Sequence, residues 1–179
     1  MFELKNYLKM KKLQILKALV DLFWLFSIIA IISLTLFIPF MFFSKDLIDI
    51  PLKINGEIIL IDSFKTKFIL AVIIISYFVF VYGIFQFRKV LILFQKRIIF
   101  SDEVIMRLDK VGKSFLLSSV VSSAALLTYN VTHKSDMSIE FGGGFSSFLF
   151  TASLGLFFMV LSEVFKISKI MKEETDLTV

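Results

Sequence analysis

The sequence has no cysteine, which excludes disulfides, thiol catalysis and cysteine-ligated metals. It has one histidine, His133, whereas zinc takes three or four protein ligands. Charge is missing over long distances: Leu22 to Ser44, Phe68 to Phe87, Ser114 to His133 and Phe141 to Ser162 contain no Asp, Glu, Lys or Arg. Within them only Pro39 is a helix breaker, and it lies near an end. No paired catalytic acids, no nucleophile with a base and no cluster of metal ligands can be read along the chain. An enzyme is therefore not predicted, and neither a cofactor nor a metal.

What is present is apolar. Hydrophobic residues make up 58% of the 179, and phenylalanine alone occurs 23 times; ordinary soluble domains hold about 45–50%. The four charge-free stretches each have 20 to 23 residues, and about 20 residues of helix cross the hydrocarbon layer of a bilayer. Lipid offers backbone groups no partner, so runs of this length are expected to be helices. The prediction is an all-α integral membrane protein, a single domain over 1–179 with four transmembrane helices at about 20–43, 68–87, 112–131 and 144–164. The first stretch is longer than a signal peptide's apolar region and leads into Pro39, Phe40 and Met41 with no small-residue cleavage site, so it is expected to be retained as an anchor.

Outside the spans the Lys and Arg residues divide unevenly between alternate compartments, fifteen against five. The richer side is predicted to be cytoplasmic, with both termini and the central loop on it. This bias accounts for the net charge of +5 without nucleic acid, and no stacking motif or groove-reading helix accompanies the charge. Direct nucleic-acid binding is not predicted.

Residues 1–17, "MFELKNYLKMKKLQILK", read as a basic amphipathic lead-in lying against anionic lipid. Between the first two spans, Asn55-Gly56 separates "PLKI" from "EIILI", the pattern of a small extracytoplasmic β-hairpin with a type I′ turn. The central loop carries an N-cap, Ser101, followed by Asp102 and Glu103 where the helix dipole favours negative charge. Val104, Leu108 and Val111 then share one face, and Glu103 with Arg107 and Asp109 with Lys113 form i, i+4 pairs. The third helix is therefore predicted to start near Asp102. With the second running on past Arg88 through Val90, Leu91 and Phe94, the two make a cytoplasmic helical extension. Ser118, Ser119, Ser122, Ser123, Ala124 and Ala125 in span three, and Ser147, Thr151 and Gly155 in span four, form small-residue faces suited to close helix packing in the bundle, or to contact with a second copy.

The order of two motifs supports a resemblance. "FRKVLILFQKRIIFSDEVIMRLDKVG", with Phe100-Ser101-Asp102-Glu103, and "SEVFKISKIMKEETDLTV", with Glu-x-Phe and an acidic ending in Leu-Thr-Val, resemble the family of small bacterial four-helix membrane proteins catalogued as domain of unknown function 2975. Ser168 departs from it, since relatives often carry glycine there and bend locally. The resemblance implies a bacterial inner-membrane location. It also implies a gene neighbourhood that often includes a small helix-turn-helix DNA-binding regulator, and no established enzymatic activity.

Glu163 lies where the last apolar stretch ends. One reading makes it an interfacial residue pairing with Lys166 or Arg88. The other turns Glu163 and Asp21 inward as a latch that holds the hairpin through Arg88, Lys89 or Lys113. A proton relay is not predicted, because no acid, histidine or lysine lies deeper in any span. His133 reads as an interface residue, Asn130-Val131-Thr132 as a chance sequon, and the "FGGGF" at 141–145 as a flexible lead-in to span four. The expected function is a membrane-anchored regulator or adaptor that binds a soluble cytosolic protein through its hairpin and tail (165–179), with Arg107 and Lys110 on the outward face. The alternative is a transport or ligand-sensing protein.

Overall fold

The computed structural model describes residues 2–43, 51–54, 57–60, 63–133 and 143–177. Four helices make up the body: α1 (Phe2–Phe43), α2 (Phe64–Gln95), α3 (Asp102–His133) and α4 (Gly143–Leu177). All four contain segments long and apolar enough to cross a membrane, at Lys11–Phe40, Phe64–Gln95, Asp102–Thr132 and Ser146–Thr175. Between α1 and α2, β1 (Pro51–Ile54) pairs antiparallel with β2 (Glu57–Leu60) in the register Pro51↔Leu60 to Ile54↔Glu57. Asn55-Gly56, where a type I′ turn is expected, lies outside the described residues, as do Phe141 and Gly142 of "FGGGF"; Gly143 to Phe145, expected as a flexible lead-in, instead begin α4.

Local chemistry sets the helix ends. Ser63 caps α2, its hydroxyl accepting from the Thr66 N–H at 3.3 Å, and Ser101 caps α3 in the same way through the Val104 N–H at 3.3 Å. Asp102 and Glu103 occupy the first turn of α3, as expected from the dipole. The C-terminus of α2 closes in a Schellman arrangement: Ile98 N–H bonds Leu93 C=O at 3.0 Å and Arg97 N–H bonds Phe94 C=O at 3.0 Å. The position past the cap that usually holds glycine is Arg97, at φ 60°.

α1 corrects the expectation of a separate lead-in. It is one helix of 42 residues, about 63 Å long. Nothing divides residues 1–17 from the first span, because no glycine or proline occurs before Pro39 and the lysines and leucines there are good helix formers. α1 also runs through Pro39 to Phe43. Likewise the tail is no loose appendage: α4 continues through Ser168, whose hydroxyl bonds the Val164 carbonyl at 2.8 Å, to Leu177.

α2 packs on α3, α3 on α4, and α1 on α2. The tightest packing lies at the hairpin end, where α2 turns into α3. Val90, Leu91, Val104, Leu108 and Val111 are each at most 2% exposed. Burial of such a side chain is worth about 1.5–3 kcal/mol where the alternative is water. Phenylalanines extend the core along the bundle: Phe80 stacks on Phe115 at 4.9 Å, and Phe87 meets Phe158 at 5.0 Å. Nearer the hairpin, Phe94 and Phe100 flank Phe165 at 5.8 and 5.7 Å. Such ring pairs add about 0.5–1.5 kcal/mol each beyond burial.

α3 and α4 come into backbone contact at Gly112 and Gly155. A Cβ on Gly112 would stand 2.6 Å from the Gly155 carbonyl oxygen and 2.9 Å from the Met159 nitrogen. A Cβ on Gly155 would stand 2.9 Å from the Gly112 oxygen. Backbone cannot yield as a side-chain tip does, so the contact requires both glycines.

Gly112→Ala is expected to destabilise the protein by about 1–3 kcal/mol, against the gain of about 1 kcal/mol that glycine-to-alanine brings inside a helix. Thermal unfolding in detergent reads the sign, and stabilisation would mean that the helices do not touch there. Arg97→Gly is expected to stabilise by about 1 kcal/mol, by relieving a left-handed residue. The same measurement checks it.

Candidate functional site

The charged residues singled out in the sequence gather at the hairpin end, though not as expected. Asp21 of α1 accepts from Arg88 Nε of α2 at 2.5 Å and from Lys17 Nζ at 2.6 Å. The Arg88 guanidinium also lies over the Trp24 ring, 4.4 Å from its centroid, and Trp24 stacks on Phe85. Asp21 is thus a latch between α1 and α2. Lys89 has no part in it and sits over the Phe85 ring at 4.2 Å, while Lys113 pairs with Asp109 on its own helix at 2.7 Å.

Glu163 is not part of the latch. Its side chain is 69% exposed and its ion-pair partner among the described residues is Lys166, at 3.9 Å. The cause is axial register. On α4 it is Phe158 that lies level with Phe87, the neighbour of Arg88. Glu163 stands five residues further along and Arg88 only one, which leaves Glu163 about 6 Å beyond the latch. Of the two readings, the interfacial one with Lys166 matches this geometry; pairing with Arg88 and the inward latch do not.

Arg107 is corrected too. It donates to Glu103 Oε1 from Nε at 2.9 Å and Nη2 at 2.6 Å, and from Nη1 to Gln86 Oε1 on α2 at 2.8 Å. Gln86 is buried, and its amide oxygen needs a donor. Arg107 is therefore a tie between α2 and α3 rather than an outward charge; Lys110 is the residue that stays exposed. α4 is fastened to α3 by Ser162 Oγ, which donates to the Ile105 carbonyl at 2.8 Å, and by Lys169 Nζ, which donates to Asp102 Oδ2 at 2.7 Å. Trp24, Gln86, Gly112, Ser162 and Lys169 were not foreseen. Gln86 carried a signal, as the sole amide in its apolar run, and so did Lys169, which continues the 3–4 spacing of Gly155, Phe158, Ser162 and Phe165.

Further from the hairpin, the small-residue faces meet but do not close. Ser118, Ser119, Ser122 and Ser123 of α3 face Ser147 and Thr151 of α4 and Ser76, Tyr77 and Phe80 of α2 around a crevice of about 270 Å³. Ser76 Oγ donates to the Ser118 carbonyl at 2.7 Å across α2 and α3. Ser118, Ser119 and Ser122 bond back to carbonyls of their own helix at 3.0, 2.8 and 3.2 Å. Ala125 is buried, but Ala124 is exposed and belongs to neither face. No group of three or more His, Cys, Asp or Glu side chains that could hold a metal occurs among the described residues.

These features define a four-helix protein of candidate membrane spans, tied by ion pairs at one end and opened by hydroxyls towards its middle. The family described as "Protein of unknown function (DUF2975)" matches residues 20–179, and the chain belongs to it. No curated protein and no solved structure matches the chain.

The Asp102–Lys169 bond is expected to hold the end of α4. Lys169→Glu should speed amide hydrogen exchange over 166–177 by about two- to fivefold, the range of a partly exposed pair. Adding Asp102→Lys should return it towards the original rate. Unchanged exchange in the single variant would show that the pair does not restrain α4.

Proposed function

We propose that the chain is a multi-pass protein of the bacterial inner membrane, with both termini and the α2–α3 hairpin in the cytosol, the β1–β2 pair on the outer side, and the exposed faces of the helices against lipid. We propose further that it acts as a membrane-anchored regulator or adaptor, not an enzyme, and that its hairpin end holds a soluble partner, a small helix-turn-helix regulator. In this reading nucleic acid is bound by the partner and not by the chain itself. The fifteen-to-five division of basic residues supports the orientation. The identity of the partner rests on the family's gene neighbourhood.

The observation that carries the reading is the tip of the hairpin. Ile98, Ile99 and Phe100 are 43, 41 and 44% exposed, and Met106 is 51% exposed. Exposed apolar side chains in a membrane span face lipid; on a cytosolic tip they have only water unless a partner covers them. Lys96, Arg97 and Lys110 are exposed on the same hairpin and give the surface a positive rim, suited to an acidic partner. The crevice in the body favours the second reading, ligand sensing or transport, because hydroxyls at that depth supply the polar site the sequence had not disclosed.

Co-expression with the helix-turn-helix protein encoded beside the chain is expected to move that protein to the membrane fraction, and Ile99→Glu with Lys110→Glu to release it. A neighbour that stays soluble with the unaltered chain, or the lack of any such neighbour, would refute the adaptor reading.

A further inference from the structure

We infer that the crevice between α2, α3 and α4 is a binding site for a small uncharged molecule bearing hydroxyl groups. The inference goes beyond the adaptor reading and rests on one part of it, the four helices as membrane spans.

Depth is the first step. Ser76 lies twelve residues along α2 from Arg88, and Ser123 eleven along α3 from Gly112. Those separations are about 18 and 17 Å, which place the crevice near the middle of a hydrocarbon layer about 30 Å thick. A polar group at that depth must find its partner in the protein, in trapped water or in a ligand.

Partners are the second step. Ser76, Ser118, Ser119 and Ser122 have protein acceptors for their hydroxyl protons. Tyr77, Ser123 and Thr151, half-buried, and Ser147, exposed, also line the crevice, and none of them makes a hydrogen bond among the described residues. The opening they face lies at membrane depth, and a hydroxyl left facing hydrocarbon without a partner costs on the order of a few kcal/mol. The hydroxyls come from all three helices, so the arrangement is not the small-residue stripe of one helix seeking a neighbour. At Gly112 and Gly155 the same two helices do close on each other.

Size and charge then select the ligand. The volume of about 270 Å³ is far above the roughly 30 Å³ share of one water and just under the about 300 Å³ at which small-molecule pockets begin. No Asp, Glu, Lys, Arg or His lines it, so it offers an ion no counter-charge. Phe80 and Phe148 supply apolar wall beside the hydroxyls, the mixture typical of small-molecule sites. A polyol such as glycerol, or the free glycerol end of a diacylglycerol, has this chemistry.

The absence of native cysteine makes the test clean. Ser123→Cys and Thr151→Cys are near-isosteric, and Val120→Cys, at a position 54% exposed on another part of α3, serves as the lipid-facing control. The full chain in phosphatidylcholine vesicles is treated with a neutral methanethiosulfonate, which reacts with the thiolate and so needs water at the sulfur. Ser123→Cys and Thr151→Cys are expected to react at least about tenfold faster than Val120→Cys, since apolar burial raises a thiol pKa. Glycerol added to the buffer, or dioleoylglycerol added to the vesicles, is expected to slow that reaction in a saturable way, and the effective probe identifies the source. Equal slow labelling of all three variants would mean a dry crevice and would overturn the inference while leaving the membrane reading intact. Fast labelling that neither probe slows would mean water only, and would also overturn it. Fast labelling of Val120→Cys itself would instead undo the membrane reading.

Discussion

The backbone contact between Gly112 and Gly155 fixes the axial register of α3 against α4, and most of the hairpin end follows from it. Once Gly155 is seated, the residues at 3–4 spacing beyond it fall one by one onto prepared partners. Phe158 meets Phe87 and Phe115, Ser162 reaches the Ile105 carbonyl, Phe165 packs on Phe94 and Phe100, and Lys169 reaches Asp102. A side chain at either glycine would push the helices apart, and every one of these contacts would lengthen together. In a membrane this matters more than in water, because lipid tails are as apolar as the helices and give no hydrophobic drive to recover the loss.

That register also marks where sequence reading stops. A single helix displays its own face, so the charge-free runs gave four helices, the Ser101-Asp102-Glu103 cap gave the start of α3, and Val104, Leu108 and Val111 gave its buried side. All are local properties. How far one helix slides along another is not local; it depends on which small residue meets which, and Gly112 had not been recognised as the partner of Gly155. Placing Glu163 level with Arg88 assumed that all four helices leave the membrane at one height. The observed offset of four residues separates them. Arg107 was misplaced for a related reason: its periodicity allowed an outward position, but the buried Gln86 amide on another helix draws it inward.

α1 stands apart from this scheme. It meets α2 chiefly at two levels, the Asp21–Arg88–Trp24 group at one end and Leu34, Phe37 and Ile38 against Leu70 and Ile74 at the other. Much of its remaining surface along the span is exposed apolar side chain. From residue 11 on, Val20 is the first buried one, immediately before Asp21. The family match begins at the same residue.

Along α3, then, small residues serve two opposite purposes. Glycine at 112 removes a side chain so that two backbones touch, and the gain is shape. Serine at 118, 119, 122 and 123 keeps a side chain short but polar, and where Ser147 and Thr151 stand opposite, the helices leave a gap rather than interlock. Size alone does not separate these cases, which is why a small-residue face read as packing throughout turns out to pack in one half and open in the other. What separates them is the hydroxyl. It must be satisfied, and a helix can satisfy it with its own i−3 carbonyl only by turning the group back on itself, as Ser118, Ser119 and Ser122 do. Beside them in the same crevice, Ser123, Ser147 and Thr151 do not turn back, so the rule that closes the bundle at its glycines leaves it open at its serines.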